Sequence, residues 1–310
     1  MDYLVTNIGI LDLSFNSLNI LGSNIENQKM YIYFGACIYA NRLFFNCINN
    51  LCSINIDIPS DFKIEITNID RGTHHILVKD NYIYIQETYY NRIKRFSISN
   101  DGIIDKSSCF LCPIYEDGIN PNLLRDMAND HLYRFDREKT LLKNYRHINS
   151  LCFIEDLPNY LLCSSSFLRN GGLVNNKPVN IKTYSTIDYI NLLDWSVESY
   201  PVPQYAIHDL VYYNGYIYYI SDNSIHKFDP VNRQYVDTIF KYSDEKQTIS
   251  RGLFFKDNFA YFSISNITSR NDNTNSPQDK NNSIFLKIDI NSWTVVEEKN
   301  IDFIIYSHVK

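Results

Sequence analysis

The sequence predicts an all-β fold, a β-propeller of six four-stranded blades, with five blades as the alternative count. Three observations lead there. The 310 residues include 25 Tyr and 18 Phe against 2 Trp and 3 Met, and aromatic and β-branched side chains suit a pleated, half-buried surface better than a helix. One hairpin pattern recurs: "HHILVKDNYIYI" (74–85), "RGLFFKDNFAYF" (251–262), "FGACIYANRLFF" (34–45) and "HDLVYYNGYIYY" (208–219) agree position by position. The units that these hairpins open span about 35 to 55 residues, the period of propeller blades.

Each hairpin alternates apolar and polar residues and breaks at a short turn, most plainly at Asn214-Gly215. Asn-Gly between alternating apolar residues is the strongest short hairpin signal, because a type I′ turn needs φ > 0 at both central positions. A third and a fourth strand follow in "RIKRFSISNDGIIDKS", "SIHKFDPVNRQYVDTIF" and "SIFLKIDINSWTVVEE": an alternating strand, a polar turn, then an apolar strand. "HLYRFDREKTLLKNY" (131–145) repeats that pattern and predicts a degenerate blade at 109–145; its weakness keeps five blades open. "INSLCFIEDLPNYLLCSSSF" (148–167) opens a further blade with a longer turn. The first 30 residues fit no blade, so they or "DFIIYSHV" (302–309) are candidates to close the ring. The polar stretch 269–283 reads as an exposed loop. No helix pattern and no linker interrupts residues 1–310, which are expected to form a single domain.

Charge and hydropathy exclude several classes. Net charge is −6 with a pI near 5.6 and no long basic run, so no nucleic-acid partner is expected. No apolar stretch approaches the length of a spanning helix, so no membrane is expected, and the N-terminus lacks the basic start of a secretory leader. The seven cysteines all lie in the first 163 residues and read as free thiols of a cytoplasmic monomer. "CFLC" (109–112) has no second pair to complete a zinc site.

"NYIYIQETYYNRIKRF" (81–96) resembles the NHL repeat, with Glu87-Thr88 and Asn91-Arg92-Ile93 at the repeat's acidic-Thr and Asn-Arg-Ile positions. The match is good for one blade and partial for "YYISDNSIHKFD", which keeps Asp222-Asn223 and drops the Arg. The resemblance implies a six-bladed propeller. NHL-type propellers include interaction modules and also metal-dependent enzymes such as the peptidyl-hydroxyglycine amidating lyases, which hold zinc with histidines from several blades. "AIHDLVYYNGYIYYISDNSIHKF" (206–228) looks like a histidine-bearing blade of such a lyase, with His208 at a metal-ligand position and His74 in the same frame. Secreted members of that group carry disulfides, which are not expected here.

In the hairpin frame, the first position of each inner strand carries Phe34, His74, Asn149 with His147 one strand period away, His208 and Arg251. These positions crowd one mouth of the central channel. His74, His147 and His208 come from three blades and are the candidate ligands of a divalent metal, zinc first. Arg251 suits an anionic group of a substrate, Tyr205 or His75 would move a proton, and Asn149 and Arg270 would contact the substrate. The expected occupant is a small molecule or peptide processed by a lyase or hydrolase. The alternatives are a metal-free pocket, a water-lined axis, and a non-catalytic propeller that binds a protein or glycan. His75 shares its frame with Asp209 and Gly252, which directs it between blades.

Overall fold

The structure is a computed structural model that describes residues 2–6, 9–16, 32–47, 49–58, 60–70, 73–88, 92–112, 145–174, 177–204, 207–242, 248–266, 283–303 and 305–309. Among the described residues the regular elements are all strands. A first pair, β1 (Tyr3–Thr6) and β2 (Gly9–Asp12), precedes five blades. Blade 1 is β3 (Ile32–Tyr39), β4 (Arg42–Cys47), β5 (Asn50–Asn55) and β6 (Phe62–Thr67). Blade 2 is β7 (His75–Lys79), β8 (Tyr82–Glu87), β9 (Arg92–Ile98) and β10 (Ile104–Leu111). Blade 3 is β11 (Tyr145–Phe153), β12 (Tyr160–Val174), β13 (Lys177–Asn191) and β14 (Val197–Val202). Blade 4 is β15 (His208–Tyr213), β16 (Tyr216–Ser221), β17 (Ser224–Asp229) and β18 (Gln234–Lys241). Blade 5 is β19 (Thr248–Lys256), β20 (Phe259–Asn266), β21 (Ser283–Asp289) and β22 (Thr294–Ile301), and β23 (Ile305–Val309) ends the chain.

Each blade is an antiparallel sheet in sequence order. The sixth sheet joins the two ends of the chain: β23 pairs with β1 (Leu4 opposite His308), and β1 pairs with β2. The inner strands follow one another around the axis as β3, β7, β11, β15, β19, β23 and back to β3. The fold is therefore a six-bladed propeller with a three-stranded closing sheet among the described residues. The unit predicted at 109–145 is not one of the six. Cys109–Leu111 belong to β10, β7 lies directly beside β11, and residues 113–144 lie outside the described residues. The polar stretch 269–283 likewise lies outside them, except for Ser283 at the head of β21.

Local chemistry explains the turns. Ala40-Asn41, Asp80-Asn81, Asn214-Gly215 and Asp257-Asn258 all have positive φ at both positions, the type I′ geometry whose twist matches the flanking strands. At the end of the third strand a side-chain oxygen caps the turn. Asn55, Asn191, Asp229 and Asp289 each accept the N–H two residues on, at 2.7–2.9 Å. This is the Asx-turn, and it underlies the polar punctuation after the third strand of blades 1, 3, 4 and 5; in blade 2 the Ser99 hydroxyl accepts the Ile103 N–H at 3.0 Å instead.

The apolar core is divided into six clusters, one per blade interface. Tyr3, Val5 and Ile10 meet Leu43, Phe45 and Ile54, while Phe44 and Leu51 face the next blade at Ile76, Ile83 and Ile85. Alternation therefore sends successive residues of one strand into two different seams, and β4 is buried along its whole length. Tyr84 and Tyr218 fill seams in the same way. All seven cysteines are free; Cys109 is exposed and Cys112 buried, and burial pushes the thiols of Cys112 and Cys152 up to about 12. Among the described residues no helix is long and apolar enough to cross a membrane.

A polar latch secures the closing sheet. Lys256 donates to one oxygen of Asp2 at 2.7 Å, and His308 Nε2 lies 3.1 Å from the other. Burial works against the Asp2 charge, but these two partners outweigh it and hold the carboxyl below its usual range. Asp2→Ala is expected to cost about 1 kcal/mol and to speed amide exchange in β1 and β23 before other strands. Uniform exchange across all six sheets would contradict a local latch.

Candidate functional site

Strand polarity creates two unlike faces. Inner strands start at one face, here the mouth, and reach tight turns at the other, the turn face. The connections β10–β11, β18–β19 and β20–β21 all leave and rejoin the described chain at the mouth. Within the blades no connection on the turn face exceeds six residues.

At the mouth the inner strands depart from regular pairing. The β11–β12 register shifts between Ile148 and Ser150, β15–β16 between His208 and Val211, and β19–β20 between Arg251 and Phe254. Asp209 (φ 53°) and Gly252 (φ 73°) adopt the left-handed conformation of a bulge, and such bulges re-aim side chains at strand ends. Blade 2 reaches a similar result without a bulge. The Gln86 side-chain oxygen accepts from the N–H groups of both His74 (3.0 Å) and His75 (3.1 Å). Its amide nitrogen and the Thr88 hydroxyl donate to the Ile148 carbonyl, each at 2.7 Å, tying blade 2 to blade 3.

The first positions converge in part. The rings of His74 and His208 lie 6.3 Å apart, centroid to centroid, and within 29° of parallel. They belong to blades 2 and 4, so they meet across blade 3. Asn149 of blade 3 is 2% exposed and donates to the Ile207 carbonyl at 3.1 Å. Its side-chain oxygen is buried and has no hydrogen-bond partner among the described residues. Arg251 is 4% exposed and acts on Asp209, whose carboxyl is pushed up by burial and opposed by the Arg251 charge and two backbone N–H groups. The backbone of His147 pairs with Ser166; its side chain, and Tyr205 and Arg270 altogether, lie outside the described residues. Among the described residues no three metal-ligating side chains meet at one point.

Second positions stitch the blades together. The Ser150 hydroxyl oxygen accepts from Leu210 N–H at 3.0 Å and lies 3.1 Å from His75 Nδ1. With Nδ1 as acceptor, the neutral ring carries its proton on Nε2, and burial pushes His75 down to about 4. One Asp209 oxygen accepts from Gly252 N–H (2.6 Å) and Leu253 N–H (3.3 Å). Gly35 abuts the backbone at Thr73 and His75, and Gly252 abuts Ile305. His75 thus sits in the seam between blades 2 and 3. The sequence frame held the signal for Ser150 and Asp209, but nothing local marked Gln86, on the second strand, as the holder of both histidines.

The residues of the NHL-like stretch also have structural tasks. Glu87 is fully buried, bonded to Arg92 and to Lys94 (3.0 Å), and accepts Asp70 N–H at 2.9 Å.

No family model matches the chain, and no curated protein matches it in sequence. Solved structures match it in shape. One, in the crystal structure of the nidogen/laminin complex, shares 8% identity and covers 99% of this chain and 97% of its own, with a TM-score of 0.58. The chain is a six-bladed β-propeller. A luciferin-regenerating enzyme shares 11% identity over 87% of this chain and 76% of its own, with a TM-score of 0.51. At these identities the likeness is one of fold, and this propeller's structural neighbours include both an enzyme and a chain from a protein complex.

Proposed function

We propose that the mouth of this propeller binds a small molecule or peptide through an anionic group and works as a lyase or hydrolase centre with a divalent metal, zinc first. The observation that carries the reading is the near-parallel pair His74 and His208, brought together from non-adjacent blades. Two imidazoles at that separation can turn nitrogens toward a shared ion, and a catalytic zinc keeps three protein ligands and one open position. The third ligand in this reading is His147, one strand period from Asn149. The Asn149 oxygen, unpartnered among the described residues, suits a group that donates a hydrogen bond, such as a water in the open position.

A bound metal would supply Lewis-acid polarisation of a carbonyl or phosphoryl oxygen. The chain's own residues do the rest. Arg251 holds the anionic group of the substrate, Asn149 orients a donor, and Arg270 contacts the substrate from the mouth. Tyr205 moves the proton, because His75 is neutral and engaged with Ser150 in the seam. Seven cysteines without a disulfide support a reducing compartment, the cytoplasm.

The second reading is a non-catalytic propeller that binds a protein or glycan at the mouth. Elemental mass spectrometry of the purified protein separates the two. The metal reading expects about one ion per chain, retained through dialysis and reduced about ten-fold or more by His74→Ala with His208→Ala. No binding of zinc, manganese or iron after reconstitution would sink it and leave the binding propeller.

A further inference from the structure

Exposed aliphatic side chains recur at one place on the turn face. Ile58 (55% exposed), Ile103 (65%), Leu193 (75%) and Val231 (67%) each lie between the third and fourth strands of blades 1, 2, 3 and 4 in succession. The turn itself does not require them. Leu193 and Val231 stand two residues after the capping Asn191 and Asp229, and blade 5 builds the same turn with Asn291 two residues after Asp289. Single exposed aliphatics are ordinary, but these four recur at the turn between third and fourth strands of four successive blades, a row of apolar points that we call the rim.

The same face is acidic. Its turns carry Asp57, Asp80, Asp101, Asp156, Asp194 and Asp257, and the one cation among their described residues is Arg233. Arg233 is already bonded to Glu198 and Tyr200. Of the lysines near these turns, Lys79 donates to the Pro158 carbonyl, Lys256 to Asp2, and Lys63 lies 3.4 Å from Asp61, while Lys106 is exposed near the start of β10. Blade 2 also holds an open cleft of about 710 Å³ between its two turns. Asp80, Tyr82, Ser99, Asp101 and Asp105 line it, Ile103 stands among them, and no cation does.

We propose that the turn face is a docking surface for a basic amphipathic segment of a protein partner. Lysine or arginine side chains of that segment enter the blade 2 cleft, and its aliphatic side chains cover Ile103 and its neighbours on the rim. Charge complementarity selects this occupant: the acidic turns attract a basic partner and repel anionic lipid and nucleic acid, while the aliphatic rim rewards an apolar stripe that a purely charged chain lacks. The proposal is independent of the mouth and of any metal there.

Fluorescence anisotropy on the full chain tests it with two labelled peptides of equal length and charge, one built of Leu and Lys at helical spacing, the other of Ser and Lys. The Leu/Lys peptide is expected to bind about ten-fold more tightly, and its affinity to fall with salt. Ile103→Ser with Leu193→Ser, and separately Asp80→Asn with Asp101→Asn, should each weaken it about five-fold or more, whereas His74→Ala should not. All four positions lie in turns on the turn face, and Asn retains the positive-φ tolerance needed at position 80. Equal binding of the two peptides, no binding of either, or indifference to both double variants overturns the proposal. So does a dimer in sedimentation that Leu193→Asp dissociates, which would assign the rim to a second copy of this chain.

Discussion

Gly252→Ala is expected to destabilise the propeller by about 2–5 kcal/mol, a large share of the roughly 5–15 kcal/mol that holds a domain folded. Two effects add. Gly252 has φ 73°, and an L-residue held there costs about 1–2 kcal/mol. A Cβ at this position would also sit 2.7 Å from Ile305 Cγ2. Ile305 is fully buried and β-branched, so its methyl has little room to turn away, and overpacking of this kind costs about 1–3 kcal/mol. Ile305 belongs to β23, so the clash falls where the chain ends close the ring. Gly215→Ala provides the control. Its φ is 82°, with nothing within 4 Å of the added carbon, so only the backbone cost of about 1–2 kcal/mol should remain. Equal shifts of the urea midpoint in the two variants would show that the Ile305 contact carries no energy.

Acid should weaken the fold well above the range in which carboxylates ordinarily titrate. His226 is 4% exposed, its Nδ1 lies 2.9 Å from the Thr238 hydroxyl, and its ring stacks on Tyr219. Burial, only partly opposed by the Ser221 carbonyl, pushes it down to about 4. The unfolded chain titrates the same group near 6.5. Between those values the unfolded state binds more protons, so stability falls as pH drops from about 6.5 to about 4 and levels off below. His226 alone should account for about 2–3 kcal/mol, and His75, also held near 4 by burial, adds in the same direction. Asp209 opposes them: its raised carboxyl makes the folded state take up a proton earlier as pH falls. Urea unfolding at pH 7.5, 5.5 and 4.5 reads the slope. It should flatten in His226→Leu and steepen in Asp209→Asn; an unchanged slope in His226→Leu would remove the assignment.

The predicted hairpins were legible because their cause is local. A two-residue turn with positive φ at both positions admits few residue types, so Asp80-Asn81, Asn214-Gly215 and Asp257-Asn258 announce themselves. The Asx-capped turn after the third strand is equally local, needing only an Asn or Asp whose oxygen reaches an N–H two residues on. In-frame alignment of those hairpins then placed His74, Asn149, His208 and Arg251 at the same strand position; in the structure His208 opens β15 and His74 directly precedes β7, whereas Asn149 and Arg251 lie inside β11 and β19, which begin at Tyr145 and Thr248.

What the amino-acid sequence determined alone was the blade as a unit: its turns, its alternation and its polar second positions. Which sheets make the ring, and which side chains meet across it, only the tertiary structure decided. The sixth sheet pairs residues from opposite ends of the chain, Leu4 with His308, and no local pattern encodes a partner so far away. The same holds for the site. His74 and His208 meet although β11 stands between their strands, and His75 is turned into the seam by Ser150, 75 residues away. Those contacts depend on how six twisted sheets close around one axis, a long-range geometry that period and propensity do not carry.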